Sequence, residues 1–375
     1  MKHINDMIAE LVDVANHPVR SVRTAMERTG KKAVGCFPIY TPDELIHAAG
    51  AIPVGMWGGP EMGNLSDRYY QTFCCSVVKA NTHQALRGDY DFLSAVLVTA
   101  YCDTLKCTIE NWKVAVPHLN VIPVVYPQNR KLEAGRQFLI EEFQRIRKEL
   151  EKALETTITD EAIEESFALY EAYRKAMRTF VDVAGRYPGL IDATARHAII
   201  KAACFMDKEE YTDKINALIE ALEAVSAEEH GQKKIILTGL LAEPDEFLDL
   251  FGENGLVVVA DDLAQESRQF RVEAAAEGDA LTRMAGRIAD QDGCSFLYDD
   301  EKSRGAMLID LKNKYNADGI VYCQLKFCDP EEFDYPIVKR EMEEVGIPLL
   351  YIEIEQQMDS VEQLRTRIQT FAEIL

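Results

Sequence analysis

The sequence has no apolar run long enough to cross a bilayer: stretches such as residues 94–100 fall far short of the ~20 residues a spanning helix needs. An apolar signal-peptide core is missing too, since the opening MKHINDMIAELVDVANH reads as an amphipathic helix. Positive charge is scarce. Lys plus Arg count 41 against 63 Asp plus Glu, a formal net charge of −22. Such a chain repels a phosphate backbone and has no polybasic patch for anionic lipid, which argues against nucleic-acid and membrane partners. We therefore expect a soluble, cytoplasmic protein. There is no G-x-x-x-x-G-K-[ST] phosphate loop, no H-E-x-x-H and no G-x-S-x-G elbow. The apolar run ending at Thr238 is followed by Gly239 alone, so the dinucleotide fingerprint fails. A disulfide framework is a poor reading of the nine cysteines (36, 74, 75, 102, 107, 204, 294, 323 and 328), which are odd in number and irregularly spaced. In a chain of 375 residues, reduced thiols or metal ligands are better ones.

With 47% hydrophobic and 28% charged residues the composition is that of a folded protein, and the length suits two or three domains. The first third alternates strand signals (33–37, 52–57, 95–100, 121–126) with helix signals. Thr41-Pro42-Asp43-Glu44 has the cap, proline and acid of a helix start, and helices are expected over 66–87 and 103–116. From about 130 to 227 the strand signals stop and helical periodicity takes over, with a further helical stretch opened by Pro188. Alternation resumes with strands at 235–238, 256–260, 319–323 and 347–354. Pro244 and Asp329-Pro330 open helices, and a last helix covers 360–375. The expected fold class is α/β: two parallel-sheet domains, 1–129 and 233–375, joined by a helical domain over 130–232. No repeat of 20–50 residues is visible.

Open parallel sheets bind ligands at the carboxyl ends of their strands. Cys102 falls between the 95–100 strand and the next helix, and Cys328 between the 319–323 strand and the Pro330 helix. Each precedes an Asp able to cap that helix. Cys74 and Cys75 lie near the start of the helix before the Cys102 strand. A helix N-terminus favours a thiolate, which suits these positions to ligation. Packing is the competing reading for any one cysteine, and Cys36, Cys204 and Cys294, without a companion feature, are taken as structural. The spacings Cys102-x4-Cys107 and Cys323-x4-Cys328 match neither a zinc ribbon nor a ferredoxin run, so spacing alone leaves the ligands open. Gly58 to Gly63 reads as a flexible loop, Asp261-Asp262 as a cap for the helix after it, and His83 and His197 as helix-face residues.

Several segments together resemble the 2-hydroxyacyl-CoA dehydratase family, which also includes benzoyl-CoA reductase-type subunits. They are Gly35-Cys36-Phe37-Pro38 with Thr41 to Leu45 and Ala48-Ala49-Gly50, then Cys75-Ser76 and Cys102-Asp103-Thr104-Leu105. Asp261-Asp262 with Glu266-Ser267-Arg268 follow, then the most specific stretch, Gln324 to Glu332 with Tyr335-Pro336. The matches keep their order over essentially the whole chain. The likeness is to the smaller, β-type subunit, and within that type to those acting on (R)-2-hydroxyisocaproyl-CoA in anaerobic leucine fermentation. The resemblance implies a [4Fe-4S] cluster in the cleft between the α/β domains, held by Cys75, Cys102 and Cys328, with one iron lacking a cysteine. Cys74, Cys107 and Cys323 are not required by the family pattern.

The implied reaction is loss of water from an (R)-2-hydroxyacyl-CoA to give the (E)-2-enoyl-CoA. One electron added to the thioester carbonyl gives a ketyl radical anion that expels hydroxide, and the electron returns at the end. The implied partners are a homologous α subunit, as a heterodimer or a dimer of heterodimers, and a separate ATP-dependent iron–sulfur activator. Acyl-CoA is expected mainly on the α subunit, so this chain is an electron relay with no catalytic acid or base. Two other classes compete: a zinc or other single-metal protein using the same cysteines, and a non-enzymatic two-lobed binding module in which they only pack.

Overall fold

The apolar runs between turn residues become parallel strands, most of them buried on both faces as helices crossing over a sheet require, with Asn120–Val124 and Leu349–Ile354 only partly buried. A computed structural model describes residues 2–61, 63–227, 231–358 and 360–375. The chain opens with α1 (Lys2–Asn16) and α2 (Pro18–Thr29), then β1 (Lys32–Cys36), α3 (Asp43–Ala48) and β2 (Ala51–Gly55). It continues with α4 (Ser76–Arg87), β3 (Leu93–Thr99), α5 (Asp103–Ala115) and β4 (Asn120–Val124). Four helices follow without a strand: α6 (Glu133–Leu154), α7 (Asp160–Ala184), α8 (Ala193–Ala202) and α9 (Lys208–Glu223). The last part is β5 (Lys233–Gly239), α10 (Asp245–Glu253), β6 (Leu256–Leu263), α11 (Ala280–Ala289) and α12 (Arg304–Tyr315). It ends with β7 (Gly319–Leu325), α13 (Asp329–Glu344), β8 (Leu349–Ile354) and α14 (Glu362–Ile374).

Two four-stranded, all-parallel sheets result, ordered β2-β1-β3-β4 and β6-β5-β7-β8. The order is the same in both, so the fold repeats although the sequence shows no repeat. One core joins their inner faces: Val34, Leu97 and Ile122 from the first sheet, Ile235, Leu237 and Val321 from the second. Helix α6 enters that core through Leu139, Phe143, Ile146 and Leu150, whose 4-3-4 spacing keeps one apolar stripe inward. Each such side chain contributes about 1.5–3 kcal/mol by leaving water. The outer faces have separate cores, one around Phe37, Val98 and Trp112, the other around Ile236, Ile320 and Met342. Helices α7, α8 and α9 form a fourth core, and α1 packs there, burying Ile4, Ile8 and Leu11.

Three local expectations need correction. The predicted 66–87 helix is a short 3-10 turn, Asn64–Arg68, followed by irregular chain and then α4 from Ser76. The intervening Tyr69-Tyr70-Gln71-Thr72-Phe73-Cys74-Cys75 is rich in aromatic, β-branched and cysteine residues, which are weak helix formers. Pro188 opens no helix; α8 starts at Ala193, where the Asp192 carboxylate accepts from the Ala195 N–H at 2.8 Å. Thr41 does not cap α3 with its side chain; its hydroxyl donates to the Phe37 carbonyl at 2.9 Å. Met62, within the predicted Gly58 to Gly63 loop, lies outside the described residues.

Candidate functional site

Strand β3 ends at Thr99 and β7 at Leu325, and three residues beyond each stands a cysteine, Cys102 and Cys328. They occupy equivalent places in the two sheets. Each is the residue immediately before a helix, α5 or α13, and Cys75 stands in the same relation to α4. The Cys102 sulfur accepts from the Leu105 N–H at 3.4 Å and so caps its own helix. The expected caps, Asp103 and Asp329, instead lie in the first turns, where their charge complements the helix dipole. The turn into Cys328 is tight. Its N–H donates to the Leu325 carbonyl at 3.0 Å, and Phe327 before it has a left-handed φ of 64°, a strained conformation for a non-glycine.

Cys75, Cys102 and Cys328 line one pocket between the two sheets, walled by Pro38 and Ile39 after β1, Leu240 after β5, and Phe296 and Phe327. The other member of each pair lies elsewhere. Cys74 packs in the outer core of the first sheet, Cys107 is exposed on α5, and Cys323 is buried within β7. Burial pushes all three pocket thiols up, Cys75 to about 12. Backbone N–H groups of the following helix pull the other way at each: Val78 and Val77 at Cys75, Leu105 and Thr104 at Cys102, Glu331 at Cys328. All three sulfurs thus stand at helix N-termini, whose partial positive charge favours an anion, and Cys102 also accepts a backbone hydrogen bond there. Among the described residues no three His, Cys, Asp or Glu are grouped closely enough for a single metal ion. Sulfurs on one tetrahedral ion stand about 3.8 Å apart, given a metal–sulfur length of ~2.3 Å. Sulfurs on separate corners of a cubane stand much farther apart. Three thiols around one apolar pocket match the thiolate donor set that a [4Fe-4S] group takes.

The two halves are tied beside this pocket by Gln356, whose amide donates to the Trp57 carbonyl at 2.8 Å and to Glu243 at 2.6 Å. Ser76, the first residue of α4, donates to the same Gln356 at 3.5 Å. His83 and His197 are on helix faces as expected, but His197 is buried between Glu266 at 2.9 Å and Glu243 at 3.2 Å. Asp261 and Asp262 cap no helix. They end β6 inside a buried ion network: Asp261 pairs with Arg196, and Asp262 with Arg268, Arg271 and Arg304. An Asp pair that close to the core must be charge-matched, which a reading of local capping signals does not register. Cys36 and Cys294 are buried as expected. Cys36 and Cys204 also line a small cavity of about 60 Å3 with Asp43, whose carboxyl is raised to about 6 by burial. The sequence also carried no sign of the part played by Glu331, which is wholly buried against two arginines.

Comparison with known proteins shows the family. The family described as 2-hydroxyglutaryl-CoA dehydratase, D-component, matches residues 38–375. The chain is 44% identical to the lactoyl-CoA dehydratase subunit beta of Anaerotignum propionicum, over all of both chains. It is 40% identical to the (R)-phenyllactyl-CoA dehydratase beta subunit of Clostridium sporogenes, again over all of both. With the (R)-2-hydroxyglutaryl-CoA dehydratase subunit beta of Acidaminococcus fermentans the identity is 33%, over 99% of this chain and 100% of that one.

Proposed function

The chain belongs to the 2-hydroxyglutaryl-CoA dehydratase D-component family, and from that premise we propose that it is the β subunit of a 2-hydroxyacyl-CoA dehydratase whose Cys75, Cys102 and Cys328 hold a [4Fe-4S] cluster. When bound, such a cluster supplies one-electron transfer. The observation that carries this reading is the single pocket into which three helix-start cysteines from both sheets converge, while Cys74, Cys107 and Cys323 do not.

The residues of this chain have distinct tasks in the proposal. Three thiolates bind, and the helix N-termini behind them stabilise the negative charge. Pro38, Ile39, Leu240 and Phe296 keep water from the pocket. No catalytic acid or base is assigned here; the acyl-CoA sits mainly on a homologous α subunit. ATP is hydrolysed on a separate iron–sulfur activator, with which the lack of a phosphate loop in this sequence is consistent. The substrate carries an uncharged acyl chain, with (R)-2-hydroxyisocaproyl-CoA as the favoured member. Identity is higher to the subunits named for lactoyl- and phenyllactyl-CoA, 44% and 40%, than to that named for the charged hydroxyglutaryl-CoA, 33%.

The test is anaerobic. The chain, co-produced with its α subunit, is given activator, ATP and reductant, then (R)-2-hydroxyisocaproyl-, (R)-lactoyl- and (R)-2-hydroxyglutaryl-CoA. Formation of enoyl-CoA fastest from the isocaproyl ester is expected. Turnover of the glutaryl ester alone would overturn the substrate assignment, and turnover of none would overturn the function.

A further inference from the structure

Directly behind the Cys328 arm lies a closed ion cluster that the proposed reaction does not use. Glu331, three residues after Cys328 in the first turn of α13, is fully buried. One carboxylate oxygen accepts from Arg268 at 2.9 Å, the other from Arg304 at 2.8 Å and from the Tyr322 hydroxyl at 2.6 Å. Arg268, also fully buried, grips Asp262 with two further N–H groups at 3.1 and 3.0 Å, and Arg304 reaches the same Asp262 at 3.1 Å. Two guanidinium groups and two carboxylates thus form a ring linking β6 and the turn after it with α12 and α13, extended by Arg271 on Asp262, Asp334 on Arg304 and Tyr322 of β7 on Glu331. Glu331 sits in the first turn of the helix that Cys328 precedes, and its negative charge bears on that sulfur, adding to the burial that raises the thiol.

A lone buried carboxylate beside a site that gains an electron would oppose reduction, because added negative charge is repelled at short range in a low dielectric. It would also cost several kcal/mol to bury unpaired. The ring removes both penalties. It fixes the first turn of α13, and with it the place of Cys328, and it presents that site with balanced charge.

We propose that Arg268 and Arg304, acting through Glu331, are positioning residues that aim Cys328 and set the reduction potential of the group it binds. The inference rests on the [4Fe-4S] reading, and its test separates the two. In the anaerobic αβ complex, iron and acid-labile sulfide are measured first, followed by an EPR-monitored redox titration. The wave of this chain is the one that Cys102→Ala removes. Arg268→Gln should shift that wave to lower potential, Glu331→Gln to higher potential, and the double variant should return towards the parent. Arg268→Lys, which keeps the charge without the fork, should sit between parent and Arg268→Gln. Opposite shifts from two neighbouring substitutions are a signature that loosened packing does not produce. If Arg268→Gln fails to fold, Glu331→Gln and Tyr322→Phe carry the test, the latter giving a smaller downward shift by removing one donor to Glu331. Parent-like waves in the variants that load iron would overturn the inference alone. A parent complex without iron or sulfide in this chain would overturn it together with the functional reading.

Discussion

The cysteines show how far single residues can be read. Cys102 and Cys328 announce themselves by falling between an apolar run and a strong helix start. Cys75 does not, because nothing in the spacing separates it from Cys74; only the family resemblance chose it. The structure separates them by direction, since Cys74 faces the outer core of the first sheet and Cys75 the pocket. Replacing Cys75, Cys102 or Cys328 by Ala should therefore lose cluster iron from this chain, while Cys107→Ala keeps it. Iron analysis of the purified complexes is the check, and the reverse pattern would contradict the ligand set. His197 yields a different prediction. Burial alone would push its ring pKa down, but hydrogen bonds to Glu243 and Glu266 outweigh it and raise the pKa from 6.5 to about 9. A raised folded-state pKa contributes stability that is fully present below pH 6.5 and is lost as pH rises to about 9. His197→Gln should lower stability by about 2–4 kcal/mol near pH 6. Urea unfolding at several pH values should show the deficit shrinking between pH 6.5 and about 9, and a constant deficit would refute the charged pair.

At the scale of elements, apolar runs and proline-marked helix starts carried enough information to place all eight strands near their observed positions. The misreadings were of junctions. The 66–75 segment has helix-like periodicity but poor helix formers, and Cys75 takes the extended backbone of a residue before a helix. Asp261-Asp262 looked like a cap because no local pattern marks its arginine partners, which stand 6 (Arg268), 42 (Arg304) and 65 (Arg196) residues away. Gly239, which the sequence presented only as a failed fingerprint, is needed for sheet pairing. Its φ is 139°, and a Cβ there would stand 2.1 Å from the Cys323 carbonyl oxygen. Gly239→Ala should force β5 and β7 apart and cost about 3 kcal/mol or more. Thermal melts of the complex would show it, and an unchanged midpoint would mean that this strand end yields more easily than its geometry implies.

For the whole molecule, two sheets of identical strand order place Cys102 and Cys328 at matching strand ends, so one pocket draws on both halves. That duplication was invisible in the sequence. Parallel strands are all similar apolar runs, and the connections differ: α4 alone precedes β3, whereas α11 and α12 precede β7. No described helix is long and apolar enough to cross a membrane. The account stands on what the shared pocket holds. The most direct measurement is iron, acid-labile sulfide and zinc in the anaerobically purified complex, with the visible spectrum, before and after Cys102→Ala. The account predicts equal iron and sulfide, about four of each lost per copy of this chain on substitution, with a loss of broad absorption that bleaches in air. Zinc without sulfide, or a metal content that Cys102→Ala leaves unchanged, would contradict it.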